Sequence, residues 1–250
     1  MFGRLRKNFA ESNYGPLGLE IVVVILGILI AFQIDRWAEH RRDREREYDY
    51  LVRLKDDLHI EIQSINMAIE YAESRIAAVL LLEEAIENPS IAMEQPGAVP
   101  AALETATWRS FPQIDAFVYS ELQSTGNLAL IRSETLRRDL ANHYSTIRHH
   151  ARVGLDLDMQ HQFDRLTAGI MSTAELQSIE EGSWNNTTGN IPTERALQII
   201  QEFARRQDAI DLLPDVAQHH VFNKKVMELA RSRTLKMIEL IKLLIVDIEH

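Results

Sequence analysis

Glu20 is a carboxylate set one helical turn into the run LGLEIVVVILGILIAFQI, residues 17–34. From Ile21 to Phe32 no side chain is polar, and the next strongly polar group is Gln33. An ionised group at the centre of a bilayer costs several kcal/mol and less near the interface, where it reaches back to headgroup water. Glu20 therefore has two chemical uses: it snorkels outward, or it faces a neighbouring helix or a wet path that carries protons or ions. In the second use Gln33 or Asp35 stands near the opposite mouth. On a helix Glu20, Val24, Gly27 and Ala31 share one stripe, and Gly27-x-x-x-Ala31 is a small-x-x-x-small pattern that permits close contact between membrane helices. The stripe predicts self-association with Glu20 turned away from lipid.

The nine histidines are the other group with chemistry to offer. His149-His150 and His219-His220 are adjacent pairs, with His143 and His161 near the first. Adjacent helical residues point about 100° apart, so neither pair grips one ion by itself. Helical metal sites use spacings of three or four, as in HExxH, which is absent. His143 and His150 share a face two turns apart and need a ligand from another helix to form a site. The sequence reading therefore assigns no metal and places the histidines at the surface or at interfaces. Asp156 and Asp158 face different ways and form no acid–base pair. No GxSxG, P-loop or GxGxxG occurs, and with no cysteine there is no thiolate chemistry. Neither a catalytic residue nor a cofactor follows. Asn185 and Asn186 each satisfy N-x-T, which a polar loop needs no glycan to explain.

The element that positions Glu20 reads as a transmembrane helix over 17–34. Eighteen residues at 1.5 Å each span about 27 Å, close to the hydrocarbon thickness. Tyr14 and Trp37 flank it as interfacial aromatics, with Arg36 beside the second. A buried core helix and a cleaved signal peptide are the alternatives; the charged helical stretch after Ile34, with no small-residue cleavage site, argues against the latter. Residues 1–16 form a short basic segment, in which Phe2, Leu5 and Phe9 recur at helical spacing and suit the inner membrane surface. Residues 35–88 lack Pro and Gly, and Leu51, Leu54, Leu58, Ile62, Ile65, Ile69, Ala72, Ile76 and Val79 mark one apolar face of a stalk.

Residues 89–250 read as a helical body. IAMEQPGAVP is expected as a loop, then helices over about 101–109, 112–124, 133–172, 192–209 and 214–250, with NLALI an extended link and 182–190 a polar loop. Gly126 suits a left-handed helix end, and Ser133 caps the long helix. The final IELIKLLIVDIE is too short for a second span and carries Lys242, so it is expected to pack on the stalk. No segment alternates with period two. The fold class is all-α: one transmembrane helix continuing into a stalk that packs with an antiparallel helical bundle.

Charge supports the division. The chain carries −10 overall, yet residues 1–16 sum to +2 and 35–55 to +1, leaving −12 on residues 56–250. So acidic a body repels a phosphate backbone, which excludes nucleic acid as a partner. Orientation follows from competing cues. Five arginines after the span favour a cytoplasmic body, but they interleave with acids at helical neighbour spacing, while the N-terminus has three basic residues and its amino group. The reading places the N-terminus inside and the body outside.

The stretches GLEIVVVILGILIAFQIDRWAEHRRDREREYDYLVRLKDDL and YSELQSTGNLALIRSETLRRDLANHY resemble an uncharacterised bacterial family, a domain of unknown function with an E-I-V-x-V-I-x-G-I-L-I-A membrane helix and an α-helical body. The resemblance implies a single-pass protein of the bacterial inner membrane and brings no catalytic residue. Where the family has Asn-Asn or Asn-Asp before the tryptophan, this chain has Ile34-Asp35-Arg36. The expected function is a membrane-anchored, homo-oligomeric scaffold or sensor without catalytic activity, with lipid, its own copies and other membrane proteins as partners. The alternative is a pore or ion-coupled subunit with Glu20 facing the conduction path.

Overall fold

The computed structural model describes residues 14–108, 111–153, 157–184 and 190–249, and no strand occurs among them. One helix dominates. α1 (Tyr14–Glu87) runs unbroken for 74 residues, about 110 Å at the α-helical rise. It ends where Asn88 closes the last turn onto the Glu84 carbonyl at 2.8 Å and Pro89 follows with no N–H to offer. Two short helices, α2 (Ile91–Glu94) and α3 (Ala98–Thr105), come next. They replace the loop expected there, because Ile91, Ala92 and Val99 gain burial only if the chain coils back onto α1.

After α4 (Phe117–Ser124), Gly126 turns the chain at φ +74° and Asn127–Leu130 form a 3-10 turn instead of an extended link. α5 (Glu134–Val153) starts under Ser133, whose hydroxyl accepts the Leu136 N–H at 3.2 Å. α6 (Leu157–Thr167) follows; the helix expected to run to 172 stops at Thr167, and Gly169 at φ +82° turns the chain before α7 (Thr173–Trp184). α8 (Thr193–Phe203) and α9 (Gln207–Ile210) divide another predicted helix. α10 (Leu213–Glu249) closes the fold.

α10 lies antiparallel along α1 in one steady register. Lys224 meets Glu73 at 2.7 Å, Thr234 meets Glu61 at 2.8 Å, and Tyr48 donates to Glu249 at 3.1 Å. Seven of the nine predicted stalk positions are buried; Ile62 and Ile76 are half-buried at the edge of the face. The core divides along this pair. Leu51, Leu54 and Leu58 pack with α4, α5 and the end of α10, Ile65 and Ile69 pack with Met227, and Val79, Leu82 and Ala85 pack with α2, α3, α6 and α8. Ile238 and Ile241 are buried on the stalk as expected, although Leu243 and Val246 remain exposed.

Among the described residues, nothing covers the other end of α1. Every large apolar side chain from Ile21 to Ile34 is 50–62% exposed. This is also the one stretch, among the described residues, long and apolar enough to cross a membrane.

The two halves of α1 should respond differently to truncation. Leu58→Ala removes a fully buried side chain and should cost the body about 2–5 kcal/mol in denaturant unfolding. Ile28→Ala, which touches no core cluster, should leave the same transition unchanged.

Candidate functional site

The only carboxylate–imidazole pair sealed inside the body, among the described residues, sits where three helices meet. Glu61 comes from α1, His143 from α5 and Thr234 from α10, and they are 4%, 2% and 0% exposed. His143 Nε2 and Glu61 Oε1 are 2.5 Å apart, and Thr234 Oγ1 is 2.8 Å from the same oxygen and 3.0 Å from the Ala230 carbonyl. The His143 ring meets Tyr144 edge-on, with centroids 5.1 Å apart, and Tyr144 stacks on Tyr119 at 4.8 Å. Burial, with the Glu61 carboxylate as a lesser cause, pushes the Tyr144 phenol well above its ordinary range.

This geometry is not that of a nucleophilic triad. A triad places the imidazole between carboxylate and hydroxyl, one ring nitrogen to each. Here Nε2 serves Glu61, and Thr234 bonds the carboxylate directly, 3.5 Å from that same Nε2. No proton passes from Thr234 through His143 to Glu61. The cluster acts instead as a polar rivet among three helices. Beside it, a groove of about 460 Å³ opens between α5 and α10, lined by Asp139, Asn142, His143, Arg233 and Lys236.

Two other carboxylates and one histidine tie the rest together. Buried Glu47 accepts the Arg132 backbone N–H at 2.6 Å and forms an ion pair with its guanidinium (Nε to Oε2 3.5 Å), pinning the 3-10 turn to α1. Glu175 meets Arg195 at 2.6 Å, and the guanidinium holds its carboxyl down to about 2. His220 Nε2 lies 2.7 Å from the Ala106 carbonyl at the end of α3, and burial pushes its imidazole down to about 4.

His40, His59 and His161 are exposed, as expected, but two other histidines depart from the expected surface placement. His143 and His220 are buried, and His219 is half-buried and accepts from Asn223 Nδ2 at 2.9 Å. The His219 and His220 rings meet edge-on, with centroids 5.8 Å apart. No group of three metal-ligating side chains occurs among the described residues. The residues predicted from the apolar run, Glu20, Val24, Ala31, Gln33, Arg36 and Trp37, all lie exposed along α1. A Cβ built on Gly27 meets nothing within 4 Å, so a partner helix has open access to the stripe. The side chains of Tyr14, His149, His150, Asp156, Asn185 and Asn186, and the segment holding Phe2, Leu5 and Phe9, lie outside the described residues.

The sequence reading missed Glu61 and Glu47, yet a signal was present. Both fall on the stripe of Leu51, Leu54, Leu58 and Ile65 at spacings of three and four, where a carboxylate is buried if the stripe is.

An all-α body built on one long helix with an uncovered apolar end defines the class of protein. A model described as a family of unknown function (DUF6090) matches residues 20–160. The match covers more than half of the chain, from the apolar segment through α5, and the chain belongs to this family. No curated protein and no solved structure matches it.

Breaking the rivet on one side leaves a buried carboxylate served only by a hydroxyl. His143→Ala should destabilise the body by about 3–5 kcal/mol. Glu61→Leu combined with His143→Leu should recover much of the loss, a contrast that denaturant titration of the wild type, the single variant and the double variant reads directly. His220 sets a pH response. Its folded value near 4 lies below the ordinary 6.5, so between those values the unfolded chain binds a proton that the folded chain refuses. Stability therefore falls as pH drops from 6.5 to 4, by about 3 kcal/mol in total. His220→Gln should flatten the dependence of unfolding free energy on pH in that window.

Proposed function

We propose that this chain is a single-pass protein of the bacterial inner membrane, anchored by α1 and carrying a helical body that serves as a non-catalytic, homo-oligomeric scaffold or sensor. The observation that carries the reading is the uncovered segment Ile21–Ile34. Its eleven Ile, Leu, Val and Phe side chains each favour insertion by about 0.3–0.6 kcal/mol, a total on the order of 5 kcal/mol. Glu20, at the edge, offsets part of that and less than a central charge would. Water offers the segment no comparable cover, and patches of this size on soluble monomers are rare.

Self-association rests on the stripe of Glu20, Val24, Gly27 and Ala31, along which a second copy approaches closely enough to shield the carboxylate. A non-catalytic role is supported by the use of Glu61 and His143 as a buried joint between helices, with no hydroxyl or thiol aligned for attack. The body is placed outside the cytoplasm, opposite the basic N-terminus.

The chain should resist alkaline extraction from membranes, and Gly27→Leu should weaken self-association in a bilayer pairing assay. Since no cysteine interferes, Met93→Cys gives a single label site on the exposed tip of the body. An impermeant maleimide should label it in intact spheroplasts. Labelling only after lysis reverses the orientation, and Glu20-dependent ion flux in liposomes replaces the scaffold with a pore.

A further inference from the structure

A cleft of about 760 Å³ lies between α1 and the 3-10 turn, immediately beyond the apolar segment. Trp37, His40, Arg41 and Arg44 line it from α1, one face of a single helix, and Ala129, Leu130 and Arg132 line it from the turn; Asp43 is the one acid in the lining. From the geometry we infer that this cleft binds the phosphate of an anionic phospholipid headgroup. The inference rests on the membrane reading above.

Height comes first. Trp37 stands about 4–5 Å along the axis beyond Ile34, Arg41 about 10 Å and Arg44 about 15 Å, while a headgroup layer is roughly 5–8 Å thick. Long arginine stems cover the difference by reaching toward the interface. Trp37, 65% exposed, sits where amphipathic rings settle. Charge comes second. Residues 35–47 carry five arginines and five acids, a sum of zero, but the helix sorts them. The cleft receives three arginines and one acid. Arg44 has no ion pair among the described residues; Arg41 pairs with exposed Glu45 at 3.3 Å and lies over the Trp37 ring at 5.9 Å, and Asp43 turns to Arg46 at 4.0 Å. Exposed pairs of this kind hold an arginine loosely, so Arg41 and Arg44 are free to close on a phosphate with bidentate bonds.

The far wall is built rather than accidental. The turn is clamped to α1 by buried Glu47 through the Arg132 backbone N–H and side chain, and Arg137 donates to the Ile131 and Arg132 carbonyls behind it. That clamp holds Ala129 and Leu130 against the far side of the cleft, facing Trp37 to Arg44 beyond the apolar segment, and leaves its polar side open for a headgroup.

The test uses the full chain in nanodiscs of phosphatidylcholine mixed with phosphatidylglycerol, with bound lipid counted by native mass spectrometry. The wild type should retain phosphatidylglycerol preferentially. Arg41→Gln with Arg44→Gln should lower that preference by about fivefold or more. The control, Arg36→Gln with Arg42→Gln, removes the same charge on average closer to the membrane but outside the cleft, and should change it little. Equal losses in both pairs show only diffuse surface attraction and overturn the site. Displacement of the lipid by inorganic phosphate assigns the cleft to a soluble ligand and overturns it too. A chain that fails to enter the nanodisc overturns the membrane anchor and the site together, whereas a chain that enters without cleft-dependent preference overturns the site alone.

Discussion

The antiparallel pairing of α10 with α1 is the constraint on which the rest depends. It buries one face of α1 from Leu51 to Val79 and stops where Tyr48 meets Glu249. Among the described residues, only the 3-10 turn follows α1 below that point. Whatever the apolar segment does, the body leaves it bare, and the body is complete without it. Two solvents are written into one rod, apolar outward over its first half and apolar inward over its second.

Three polar joints interrupt the apolar contacts of the body, and each joins elements far apart in sequence. Glu47 pins the turn before α5, the Glu61–His143–Thr234 cluster joins α1, α5 and α10, and His220 ties α10 to the end of α3. Apolar faces tolerate sliding by a turn; a carboxylate with one matching imidazole does not. Such groups add little net stability over well-packed apolar ones, but mispairing them strands a buried charge. We attribute to them the single register of α1 and α10, a claim that the doubly leucine-substituted form tests if it loses register while keeping stability.

Much of this was legible in the sequence, for reasons that can be named. The absence of Pro and Gly over 35–88 fixed a long helix, and spacings of three and four from Leu51 to Val79 showed which face it buries. Gly126 announced its turn. The breaks that went unseen have local causes that pattern reading underweights: a left-handed Gly169 within an otherwise amphipathic run, and a short coil over Ile91–Glu94 that forms because burial rewards it. Glu61 and His143 were invisible as a pair because they lie 82 residues apart and only the packing of α5 on α1 unites them. The cleft at Trp37 was hidden for a similar reason, since half its wall arrives from the turn at Leu130.

The account turns on what surrounds Ile21–Ile34. Single cysteines placed in turn from Glu20 to Trp37, spin-labelled in proteoliposomes, report oxygen and aqueous-quencher contact site by site. The account predicts a continuous oxygen-rich, quencher-poor interval centred near Gly27, dipping along the Glu20–Val24–Gly27–Ala31 stripe and ending at Trp37. Free access of the aqueous quencher along the whole segment would contradict it.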